Sequence, residues 1–207
     1  MVDNIVVSRF KNNEAMHVAR ISNELLQPIL EPFNKMGSSS NTEFLIDVGF
    51  LPDESSAGFF TIKVNDNIAG VMMISTKDQK RVHTSKLSFF KLIRKYGFFK
   101  TLGSIAVIDS FSKKLKEDEM YVDYIVVSKE YRGLGLGTKL LNYGEEIAKN
   151  LKKRTYSLDV MGNNLKAKKL YEKLGFDTVK TTKFSRYIRK KLGTDKSYLM
   201  VKKLKAE

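Results

Sequence analysis

Apolar residues recur along this 207-residue chain with two periods, and the alternation between them predicts a mixed α/β fold. Residues 5–10 form a β-branched, apolar run that reads as a first or edge strand. From residue 12 to 36, Ala15, Val18, Ile21, Leu25, Ile29 and Leu30 fall at helical spacing, with Pro28 marking a break or a second start. Residues 37–41 (Gly-Ser-Ser-Ser-Asn) read as a loop, and 44–51 as a short apolar piece of either type. Residues 58–64 and 68–74 are strand-like and are joined through Asn65-Asp66-Asn67, which makes a hairpin. In the strand at 120–127, alternation puts Tyr121, Asp123, Ile125 and Val127 on one face and Val122, Tyr124 and Val126 on the other. A helix over 137–151 and a strand over 155–160 come next. The helix at 164–174 ends on Gly175, and strands at 176–182 and 198–203 close the chain. No element is assigned to residues 183–196.

One stretch departs from this rhythm. Residues 79–117 are helical in period, rich in Phe, Leu and Ile, and punctuated by Lys86, Lys91, Arg94, Lys95 and Lys100. Gly97 and Gly103 divide the stretch into two helices. It reads as a helical insertion between strands, packed over the sheet as one wall of a cleft or laid on a membrane surface.

Charge sharpens the question of partners. Lys plus Arg number 37 and Asp plus Glu 23, a net +14. Residues 1–80 hold 7 basic and 10 acidic groups, and residues 81–207 hold 30 and 13, so the second part carries the whole excess. That favours a polyanion there. Lys outnumbers Arg 29 to 8, which argues against sequence-reading of nucleic acid, where the Arg fork is preferred. The chain has no Cys, so disulfides, thiolate metal sites and a cysteine nucleophile are excluded. His17 and His83 lack ligand spacing, and no metal is expected. The first residues lack a basic start and a long apolar run, and no stretch reaches spanning length. The expected place is therefore the cytoplasm, without integral membrane association.

The candidate chemistry sits in Arg132-Gly133-Leu134-Gly135-Leu136-Gly137-Thr138, between the strand ending at Val127 and a helix. Three glycines within five residues let the backbone turn tightly and approach a ligand. Free amides at a helix N-terminus then favour an anion, with a pyrophosphate as the natural occupant. A Walker loop requires Gly-Lys-Ser/Thr, whereas the order here is Gly137-Thr138-Lys139. A dinucleotide fingerprint requires a different glycine spacing and an early position in the chain.

This loop resembles that of the GNAT N-acetyltransferase superfamily, matching R/Q-x-x-G-x-G/A at each required position. Asn164-Leu165-Lys166-Ala167-Lys168-Lys169-Leu170-Tyr171-Glu172-Lys173-Leu174-Gly175-Phe176 resembles the family's N-x-x-A-x-x-L-Y-x-x-L-G-F segment. The clear likeness covers residues 120–177, the expected coenzyme-binding core of one acetyltransferase-like domain spanning 1–207.

The resemblance implies a mixed, mostly antiparallel sheet flanked by helices, and acetyl transfer from acetyl-CoA directly to a primary amine, with no metal. By the same resemblance, the amides of Gly133, Leu134, Gly135, Leu136, Gly137 and Thr138 hold the pyrophosphate, with Arg132 alongside. The backbones of Ile125 and Val127 pair with the pantetheine arm, and amides near Val126 face the oxyanion. Asn164 anchors the coenzyme or simply caps its helix. Tyr171 returns a proton to the thiolate, and Asp123 is the candidate base, with Glu119 and His83 behind it. The partner is a small-molecule or peptide amine, and dimers are common in the family. Two further readings stay open: an acyl-CoA-sensing module of the same fold, and a basic nucleic-acid or membrane binder.

Overall fold

A computed structural model describes residues 4–34, 38–48, 50, 58–78, 86–110 and 114–205. Among the described residues seven strands form one sheet in the order β1-β2-β3-β4-β5-β7-β6. They are β1 (Ile5–Arg9), β2 (Phe59–Val64), β3 (Asn67–Thr76), β4 (Glu119–Val127), β5 (Thr155–Met161), β6 (Asp177–Lys183) and β7 (Lys196–Lys203). Only β4 and β5 run parallel; every other neighbouring pair is antiparallel. The helices are α1 (Ala15–Asn34), α2 (Ser38–Asp47), α3 (Lys86–Tyr96), α4 (Phe98–Ser110), α5 (Leu136–Asn150), α6 (Leu165–Lys173) and α7 (Arg186–Leu192).

The strand alternation sorts the core into two layers. Phe60, Ile62, Met72, Ile74, Met120, Val122, Tyr156, Leu158 and Met200 pack with Leu136, Leu140 and Leu141 of α5 and Tyr171 of α6. On the opposite face Phe59, Val71 and Val126 pack with Val18 and Ile21 of α1.

Several elements differ from the sequence expectation, each for a physical reason. Helix α1 runs unbroken through Pro28: Leu26 and Leu30 on either side are buried against Leu45, and that packing offsets the hydrogen bond a proline removes. The expected loop at 37–41 is helical from Ser38 onward. Asn41, Phe44, Leu45 and Val48 are all buried, a spacing of three, four and seven residues that suits a helix seated on neighbours. Gly97, with φ +85°, divides the helical insertion, whereas Gly103 lies inside α4. Helix α7 occupies part of the unassigned 183–196. The Ser185 side chain accepts from the Ile188 amide at 3.4 Å at its start, and Gly193 takes the left-handed conformation at its end. His83 and Phe111 lie outside the described residues, as do Gly37 and Leu51.

Candidate active site

The site is built on an irregularity in β4. Tyr124 pairs with Met73 of β3 and Val122 with the next residue, Ile74, so Asp123 is an extra residue on β4, a bulge. The bulge reverses the facing of the strand. Met120 and Val122 belong to the α5 layer, and so do Ile125 and Val127, while Tyr124 and Val126 face α1. The uninterrupted alternation expected from the sequence is thereby corrected.

The bulge also ends the parallel pairing. The β4–β5 ladder runs from Glu119↔Thr155 to Val122↔Leu158 and stops, so the strands part beyond that point. Ser128 N–H donates to Ala69 O of β3 at 2.9 Å. By alternation, Val126 also turns its peptide groups toward β3, and Ile125 and Val127 turn theirs toward the gap. A Cβ at Gly70 would sit 2.8 Å from the Val126 carbonyl, in agreement with that facing. Val126 therefore turns its amide to β3, and the amides of Ile125 and Val127 line the gap. The Val127 carbonyl is already engaged, accepting from Arg132 Nε at 3.1 Å.

The glycine loop closes the end of this gap. Gly133 and Gly135 have φ of +88° and +71°, conformations that L side chains rarely adopt. A Cβ at either would meet nothing within 4 Å, so the loop lines open space. Gly135 is the N-cap of α5 and supplies no side-chain cap. The first backbone bond after the loop is Lys139 N–H to Gly135 O, at 3.1 Å. The amides of residues 133–138 accordingly have no protein acceptor among the described residues. Unclaimed donors at and before a helix N-terminus are an arrangement that favours an anion.

Arg132 stands differently from the expectation. Besides Val127 O it meets Glu24 of α1, with Nη2 3.6 Å from Oε2. Glu24 also accepts from Ser128 Oγ at 3.2 Å and from the Lys129 amide at 3.3 Å. Arg132 and Glu24 therefore brace the loop against α1. Glu24 escaped the sequence reading because nothing local links it to residues a hundred positions away. Asn164 caps α6, its Oδ1 accepting from the Ala167 amide at 3.2 Å.

The acid–base candidates lie on opposite sides of the sheet. Asp123 Oδ2 accepts a hydrogen bond from Ser75 Oγ on the α1 side. Next to it on that side, Tyr121 donates to Asp159 Oδ2 at 2.9 Å. Tyr171 belongs to the α5–α6 layer, its ring 6.1 Å from that of Phe176. Burial pushes its phenol up to about 12, so it keeps its proton at neutral pH. Glu119 is excluded from the gap: it is buried where β4 and β5 are still paired, and accepts from Ser157 Oγ at 2.5 Å. Among the described residues no group of three His, Cys, Asp or Glu side chains is placed to hold a metal. No described helix is long and apolar enough to cross a membrane.

The profile of the acetyltransferase (GNAT) family matches residues 23–176, and the chain belongs to that family. Over 92 residues it is 36% identical to an uncharacterized N-acetyltransferase, YobR, of Bacillus subtilis (strain 168); the match takes in 44% of this chain and 34% of that protein. The chain thus spans about a third of that relative's length. The crystal structure of an acetyltransferase superimposes with a TM-score of 0.67 at 18% identity, over 97% of this chain and all of the other. A putative acetyltransferase from Salmonella typhimurium, solved with its cofactor acetyl-CoA, has a TM-score of 0.57 at 12% identity, over 98% and 95% of the two chains. At such identities the two structures establish the fold.

Proposed function

We propose that the protein is an N-acetyltransferase that moves an acetyl group from acetyl-CoA directly to a primary amine. The observation that carries this reading is the row of six unclaimed amides, 133–138, closing the gap where β4 leaves β5. Their geometry suits a pyrophosphate, and the unpaired side of β4 suits an extended amide-bearing arm added as a short strand. The residues fit acetyl-CoA, which supplies a thioester open to attack by a neutral amine.

The remaining chemistry falls to this chain's own groups. A free alkylammonium titrates near 10.4 and is not a nucleophile, so a proton must leave the nitrogen. Asp123, held by Ser75, lies on the α1 side of the bulge. It holds the incoming ammonium by charge and takes one proton before the freed lone pair attacks. The second proton leaves the nitrogen as the tetrahedral intermediate collapses and passes through water to replace the one Tyr171 gives up. The Ile125 amide, turned to the gap, donates to the oxygen that gains charge. As the C–S bond breaks, Tyr171 gives its proton to the departing thiolate from the opposite face of the sheet. A phenol near 12 is a weaker acid than the thiol it protonates, so Tyr171 first stabilises the thiolate by donating a hydrogen bond, and transfer is completed as the proton released from nitrogen is taken up.

Thermal unfolding with added ligands tests this reading. Acetyl-CoA and coenzyme A should each raise Tm progressively as their concentration exceeds Kd, and duplex DNA should not. A shift with DNA and none with either coenzyme would favour the polyanion-binding alternative.

A further inference from the structure

The hairpin of α3 and α4 has two faces of opposite character. Its inner face is firmly seated. Leu92 is buried with Phe44 and Val48, and Tyr96 and Ile105 complete that cluster. Lys95 Nζ and the Tyr96 hydroxyl both donate to Asp47 of α2, at 2.8 and 2.7 Å. Helix α4 also packs along α1.

The outer face has no such partner among the described residues. Phe99 is 84% exposed and Phe90 70%, with Phe98 and Leu102 about half exposed beside them. Phe90 and Arg94 share one helix face by their spacing of four, and so do Phe98 and Leu102. The rings of Phe98 and Phe99 meet edge to face at 5.4 Å. Gly97 turns the chain between the helices, with Phe98, Phe99 and Leu102 in the first turns after it and Phe90 two turns before it. Four large apolar side chains exposed on one helical hairpin mark a contact site.

The surrounding charge says what kind. Lys91, Arg94 and Lys100 are exposed and carry no ion pair among the described residues. Residues 86–108 hold five basic groups and no acidic one. Apolar side chains protruding from a helical corner, ringed by cations, complement an anionic lipid interface, which takes the rings among its acyl chains and the cations among its headgroups. A polynucleotide instead asks for a cationic groove with ring faces laid flat for stacking, and Lys rather than Arg dominates here.

We propose that the α3–α4 corner docks the protein on an anionic membrane surface through Phe90, Phe98, Phe99 and Leu102, flanked by Lys91, Arg94 and Lys100. The proposal stands apart from the transferase reading.

Flotation of the full chain with phosphatidylcholine vesicles, with and without phosphatidylserine, tests it. The protein should float with the anionic vesicles at low salt, stay behind with the neutral ones, and be released as salt is raised. Lys91→Glu and Lys100→Glu should each reduce partitioning by about fivefold or more. Phe99→Ser should also reduce it, with Tm and acetyl-CoA binding unchanged in all three. Failure of the parent chain to float at low salt would overturn the proposal, as would variants that float like the parent. Binding of single-stranded DNA lost in the same variants, without vesicle binding, would assign the corner to nucleic acid instead. A dimer that dissociates on Phe99→Ser, again without vesicle binding, would assign it to a second copy.

Discussion

Arg132 of the glycine loop and Glu24 of α1 stand 3.6 Å apart across the mouth of the site, and the same guanidinium holds the Val127 carbonyl at 3.1 Å. The charge that a sequence reading places on the pyrophosphate is thus partly spent on bracing the loop. Arg132→Met should lower stability by about 1 kcal/mol or less, since the pair is half exposed. It should weaken coenzyme binding by less than about tenfold, because the backbone amides remain. Calorimetric titration with coenzyme A checks this, and a loss far beyond tenfold would make Arg132 a direct phosphate ligand.

Gly135→Glu addresses the amides themselves. The position has φ +71°, so any side chain costs about 1–2 kcal/mol in backbone strain. A carboxylate projecting into the open loop adds repulsion of a pyrophosphate. The folded variant should show no measurable coenzyme binding in the same titration. Affinity equal to the parent chain would remove the loop from the site.

Tyr171→Phe should lower turnover by about tenfold or more while coenzyme affinity stays within twofold, as expected for loss of one proton donor. The pH dependence carries an independent sign. The buried phenol ionises near 12, against about 10 in the unfolded chain, so the folded state keeps a proton that the unfolded state has lost. Its contribution to stability is complete below pH about 10 and is lost as pH rises toward 12, at up to about 1.4 kcal/mol per pH unit. Tyr124 and Tyr156 are raised by burial as well and steepen the same limb. Unfolding midpoints in denaturant between pH 8 and 11 should be level at first and then fall, less steeply in Tyr171→Phe. Identical alkaline limbs in the two proteins would contradict the buried phenol.

Gly144 sits in the middle of α5 directly beneath Tyr156, and a Cβ there would strike the tyrosine hydroxyl and approach Met72 Cε at 3.2 Å. Alanine is the better helix former by about 1 kcal/mol. Overpacking a closed core costs about 1–3 kcal/mol, so the clash should win. Gly144→Ala should lower thermal stability, and a rise in Tm would show that Tyr156 has room to yield.

The parts of this molecule that were legible in the sequence are those fixed by local chemistry. The glycines at 133 and 135, the hairpin at 65–67 and the Gly175 helix stop all rest on a backbone conformation that only certain residues accept. The features that escaped depend on partners distant in sequence. Pro28 stays helical because Leu45 covers the turns beside it, and Glu24 reaches Arg132 only after α1 has packed on the sheet. The bulge at Asp123 has no letter code. It is set by how β3 and β4 align, and it puts Ile125 and Val127 in the same layer as Val122 where plain alternation separates them.

Thiol release from acetyl-CoA across a panel of primary amines is the measurement closest to the central claim. At least one amine should raise release well above the rate with acetyl-CoA alone, with stoichiometric appearance of the acetylated amine, and Tyr171→Phe should slow it. Tight coenzyme binding with no amine-dependent release from any class of acceptor would contradict direct transfer and make the protein an acyl-CoA-binding module of the same fold.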